Sequence, residues 1–77
     1  MDAQFYLYFP SENGARDAAA RLNQQGYGVT VRPGADDINW LALASRSLAD
    51  DTELDEAEEA LEQLASNLGG EYDGYER

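Results

Sequence analysis

Between positions 50 and 62 the chain carries Asp50, Asp51, Glu53, Asp55, Glu56, Glu58, Glu59 and Glu62, eight carboxylates in thirteen residues. Paired carboxylates serve two chemistries, general acid–base catalysis and cation binding. Acid–base work at neutral pH needs burial or a close charge to move a carboxyl pKa, and a helix facing water supplies neither. Asp50, Asp51, Glu53 and Asp55 are calcium-like in composition, but they lack the central glycine and the terminal glutamate of an EF-hand loop and overlap a helix start. Histidine and cysteine are absent, which removes the commonest bases, nucleophiles and transition-metal ligands. Ser45 and Ser47 have no activating neighbour, and Ser11 is placed to cap a helix. The chain therefore reads as a non-enzyme with no catalytic residue, no metal and no cofactor.

Charge is the stronger signal. Sixteen acidic residues stand against five arginines and no lysine, a net charge of −11. That balance repels nucleic-acid phosphates and anionic lipid headgroups, so neither RNA nor a membrane is an expected partner. Within the acidic run, Asp55 faces Glu58 and Glu59 at helical spacing, and each such like-charge pair costs a few tenths of a kcal/mol. A face that served only to solvate the domain would mix in lysine. Glu53, Asp55, Glu56, Glu58, Glu59 and Glu62 are therefore the candidate surface for a basic protein partner. The plainer alternative is a solvated face that keeps copies of the chain apart.

A second constellation is aromatic. Tyr6, Tyr8 and Trp40 are expected on one open sheet face, with Arg32 near. Aromatics on central strands are how an RRM stacks RNA bases, and an RNA- or nucleotide-binding module is the alternative reading. The glycine-aromatic string of the RRM is missing from residues 38 to 45, and the net charge opposes it. The face reads better as a protein interface to which Tyr6 and Trp40 contribute, a homodimer contact being one form of it, or as a face covered by a terminus. A dimeric ligand-binding regulatory domain is a further analogy at the level of fold alone.

The elements that must position these groups follow from periodicity. Phe5-Tyr6-Leu7-Tyr8-Phe9 is a strand apolar on both faces, and so a central one. Ser11 caps a helix over about 12 to 25, with Ala15, Ala18, Ala19 and Leu22 on its inner face and Gly26 after its end. Tyr27 to Arg32 is an edge strand weakened at Gly28, and Pro33-Gly34 opens a turn. Trp40 to Ala44 is a second central strand, with Leu41 and Leu43 assigned to the helix-covered face and Trp40, Ala42 and Ala44 to the other. Thr52 or Asp51 caps a second helix over about 53 to 68, whose stripe is Leu54, Ala57, Leu61, Leu64, Ala65 and Leu68. Gly69-Gly70 closes it, and Glu71 to Tyr75 is a last short strand. The order βαββαβ is the split βαβ pattern, a ferredoxin-like α+β fold with a four-stranded antiparallel sheet and two helices on one face. Its sheet order puts the first and third strands in the centre, which agrees with their burial.

Seventy-seven residues allow one domain, 1–77, with a thin core. Met1 to Gln4 has no signal-peptide character and no run approaches a membrane span, so the cytoplasm is the expected address.

Three stretches together resemble the regulator of ribonuclease activity B family. They are Phe5 to Phe9, Trp40-Leu41-Ala42-Leu43-Ala44-Ser45-Arg46, and Gly69-Gly70-Glu71-Tyr72-Asp73-Gly74-Tyr75-Glu76, the last being the most specific. The similarity runs over roughly residues 4 to 77. It implies a ferredoxin-like bacterial protein that binds and inhibits ribonuclease E by protein contact, without catalysis. No family motif marks inhibitory residues, so none is carried over.

Overall fold

Phe5, Leu7 and Phe9 are fully buried on one side of strand β1 (Asp2–Phe9), while Tyr6 and Tyr8 are half-buried on the other. The computed structural model describes residues 1–77 and orders them as β1, α1 (Glu12–Gln24), β2 (Gly28–Pro33), β3 (Trp40–Ser47), α2 (Asp51–Asn67) and β4 (Glu71–Glu76). The sheet order is β2-β3-β1-β4, with every neighbouring pair antiparallel. The two strands apolar on both faces are the central pair, and the architecture is the ferredoxin-like one. Helix α1 packs chiefly on β2 and β3, and α2 on β4 and β1. No helix is long and apolar enough to cross a membrane.

Helix α1 begins where the sequence places it. Ser11 is the N-cap and its Oγ accepts from the Gly14 N–H at 3.2 Å. Ala15, Ala18 and Leu22 form the buried face, and Gly26 follows the helix at φ +93°. Helix α2 begins earlier than the pattern indicates. Asp50, rather than Asp51 or Thr52, is the N-cap, accepting from the Glu53 N–H at 2.9 Å. Three potential caps stand in a row, and the one that wins leaves Asp51 and Glu53 in the first turn, where the helix dipole favours negative charge.

The core joins β1 to both helices through Leu22, Tyr27, Leu48, Leu54, Ala57 and Leu61, and the Phe5 and Tyr27 rings meet edge to face at 6.0 Å. The turn after α2 is fixed by its glycines. Gly69 sits at φ +76°, and a Cβ on Gly70 would run into the Phe9 ring and the Tyr8 carbonyl.

One assignment made from the sequence is reversed. In the β1–β3 ladder Phe9 pairs with Trp40, Leu7 with Ala42 and Phe5 with Ala44, while Tyr8 pairs with Leu41 and Tyr6 with Leu43. Directly paired residues share a face, so Trp40, Ala42 and Ala44 lie under the helices. Leu41 and Leu43 lie on the open side. Ala42 and Ala44 belong to the core cluster and Trp40 packs against it; Leu41, only 5% exposed, is outside that cluster. The reason is packing volume. Helix α1 approaches the sheet through alanines, and small residues on β3 allow that approach.

Candidate functional site

Two surfaces answer to the residues singled out, and the fold keeps them apart. The first is the outer face of α2. Leu54, Ala57, Leu61 and Ala65 turn toward the sheet, which forces the acids outward. They divide into two groups. Glu53 is half-buried with an Oε1 3.7 Å from Arg46 Nη2, and the Arg46 guanidinium lies 5.3 Å from the Tyr27 ring centroid. Glu58, also half-buried, accepts a 2.8 Å hydrogen bond from the Tyr72 hydroxyl on β4. Burial and this carboxylate together push the Tyr72 phenol well above its ordinary value. Glu53 and Glu58 are thus held by the fold. Asp55, Glu56, Glu59 and Glu62 are exposed and make no ion pair or side-chain hydrogen bond.

The cations do not answer them. Arg16 pairs with Glu12 at 2.7 Å, Arg21 with Asp17 at 3.2 Å, and Arg77 with Asp51 at 2.8 Å. With Arg46 on Glu53, only Arg32 is unpaired, and it stands on β2, across the sheet from α2. The last turn of α2 contains no basic residue. Four adjacent carboxylates therefore repel one another without internal compensation.

The second surface is the open sheet face. Tyr6 and Tyr8 are on it, flanked by Leu41 and Leu43, with Thr30 and Arg32 on β2 and Glu71 on β4. Trp40 is not, so the expected Tyr6–Tyr8–Trp40 platform does not form, and two tyrosines are what remain for base stacking. The missed residues are Leu41 and Leu43. The signal available for them was the pairing of small with small, since Ala42 and Ala44 suit the alanine face of α1. Partial burial and the neighbouring Glu76 carboxylate raise the Tyr6 phenol above its ordinary value. At the end of this face Asp36 closes the β2–β3 loop, accepting from the Ile38 and Asn39 N–H groups and from Asn39 Nδ2, each at 3.0 Å. These bonds hold its carboxyl below the usual range. No three carboxylates converge to hold a metal ion.

A ferredoxin-like sheet with one unneutralised helix face and no nucleophile–base pair is the framework of a binding domain. The chain belongs to the regulator of ribonuclease activity B family, whose model matches residues 1–76. This is a family of non-catalytic regulators of ribonuclease activity that inhibit ribonuclease E. No curated protein matches the chain.

Proposed function

We propose that the chain inhibits ribonuclease E in the cytoplasm by docking the outer face of α2 on a basic segment of the enzyme. Residues 1–77 act as one binding unit, without a cofactor and without contact to RNA or membrane. The observation that carries this reading is the array Asp55, Glu56, Glu59 and Glu62, exposed and unpaired in a chain whose cations are almost all engaged. An enzyme that processes RNA holds phosphates on basic segments, and a rigid row of carboxylates spanning about 10 Å of helix offers those segments the same sign of charge. Such complementarity speeds encounter and selects the partner more than it adds raw affinity. The net charge of −11 argues against RNA itself as the ligand.

The test is cleavage of a defined RNA by ribonuclease E with increasing amounts of the chain. Wild type is expected to inhibit. A variant combining Asp55→Asn, Glu56→Gln, Glu59→Gln and Glu62→Gln is expected to need at least about tenfold more protein for the same inhibition. Unchanged inhibition by this variant would move the site off α2, and no inhibition by wild type would remove the function from this chain.

A further inference from the structure

The open sheet face carries its own complement. Arg32 pairs with Leu41, Leu41 with Tyr8, and Tyr8 with Glu71, so these four residues form one row across all four strands. The row reads cation, leucine, tyrosine, anion. The next row sets Thr30, Leu43 and Tyr6 beside the bulge of β4, where Gly74 has φ +110°. Read from the opposite edge, the first row presents the partner that each of its members needs.

From this we infer that the open face is a contact between two copies of the chain, related by a two-fold axis parallel to the strands. That axis lays β2 of one copy over β4 of the other, and β3 over β1. Arg32 then meets Glu71, and in the next row Leu43 meets Tyr6, twice each, while Leu41, only 5% exposed, is already covered by its own chain. The other in-plane axis, perpendicular to the strands, lays β4 over β4 and opposes the carboxylates of Glu71, Asp73 and Glu76. Like charge disfavours it.

The receiving side is already shaped. A shallow cleft of about 340 Å³ is lined by Tyr8, Ala35, Asp36, Asn39, Glu71 and Asp73; Asp36 is bonded within its own loop, which leaves Glu71 and Asp73 as the carboxylates without a hydrogen-bond partner. Arg32 of the second copy enters it as the one guanidinium in the chain without an ion-pair partner. A basic segment of another protein would find no counterpart for Arg32 on this face, whereas a second copy satisfies both charges at once.

The contact is a weak one. Four strands about 4.8 Å apart and about 20 Å long cover roughly 400 Å² per copy, half of a standard interface. Two chains of net charge −11 also repel each other. The dissociation constant expected is on the order of 100 μM.

Sedimentation equilibrium tests it with a charge exchange. Wild type is expected to shift from monomer to dimer as concentration passes that range. Arg32→Glu and Glu71→Arg should each remain monomeric, because each places like charges at both ends of the row. Their equimolar mixture should dimerise again. In the mixed pair the two introduced charges, opposite in sign, face each other at one end, and the native Arg32 and Glu71 face each other at the other. Circular dichroism of each variant verifies that it is folded. Three outcomes overturn the inference: a wild type monomeric up to about 1 mM, a dimer that neither single change weakens, or folded single variants whose mixture stays monomeric. The first would leave the face to a different occupant, such as a chain terminus or the ribonuclease.

Discussion

The Tyr72–Glu58 hydrogen bond shows what a residue can hide in sequence. Glu58 looks like one more member of an acidic run, yet its carboxylate accepts a proton donor from a strand fourteen residues away. Nothing in the helical period announces that pairing, because it depends on which face of β4 meets α2. Tyr72→Phe would leave Glu58 half-buried with no donor, and should cost about 1 kcal/mol in urea unfolding at neutral pH. Burial of the phenol, with this bond second, sets a pH dependence. Tyr72 has a folded pKa raised above the ordinary 10.0, so native protein holds the phenolic proton longer than unfolded chain does. The stability this contributes is complete below pH 10.0 and is lost as pH climbs through the folded value. Unfolding midpoints followed from pH 8 to about 11 should fall more steeply for wild type than for Tyr72→Phe.

Gly70 makes the opposite case, a residue whose role was partly visible. A Gly-Gly pair after a helix announces a stop, and Gly69 at φ +76° supplies it. The second glycine has a steric task, to leave room for the Phe9 ring. Gly70→Ala should lower stability by about 2 kcal/mol through overpacking, read as a drop in thermal midpoint with the fold retained.

At the scale of elements, the strands and helices were legible because their periods are clean and their stops are glycine, proline and cap residues. The face of β3 was not. Trp40-Leu41-Ala42-Leu43-Ala44 is apolar in both alternating sets, so the period defines two faces without saying which one the helices cover. Register against β1 decides it, with Trp40 opposite Phe9, and register is a tertiary fact. The cap of α2 was displaced for a similar reason, since Asp50, Asp51 and Thr52 are all competent. The α2 face itself carries a prediction with two signs. Neutralising Asp55, Glu56, Glu59 and Glu62 together removes several like-charge pairs and should raise domain stability by about 0.5–1 kcal/mol, a few degrees in thermal midpoint. Gained stability with lost inhibition would mark these acids as kept for binding, at a cost to the fold. A thermal scan of the variant, set beside its inhibition curve, measures both.

At the scale of the whole molecule, the sheet divides the surface into two working sides. The outer face of α2 carries a row of unpaired acids, while the far side carries tyrosine, leucine, the one unpaired arginine and the Glu71 carboxylate. The net charge and the overall topology were readable in the sequence, and the family was readable in the stretches Phe5 to Phe9, Trp40 to Arg46 and Gly69 to Glu76. The sequence could not show that Trp40 lies beneath the helices, nor that Glu53 and Glu58 are engaged, because both depend on how distant segments stack. The candidate acidic surface accordingly narrows from six residues to Asp55, Glu56, Glu59 and Glu62. Self-association through the sheet face leaves the outer face of α2 free, since the helices lie on the other side of the sheet.

The most direct measurement is titration calorimetry of the chain against ribonuclease E freed of nucleic acid, at several salt concentrations, with wild type and with the variant neutralised at Asp55, Glu56, Glu59 and Glu62. Wild type is expected to bind, binding is expected to weaken as salt rises, and the variant is expected to bind at least about tenfold more weakly with a flatter salt dependence. Equal affinity and equal salt dependence for the two proteins would contradict docking through the outer face of α2.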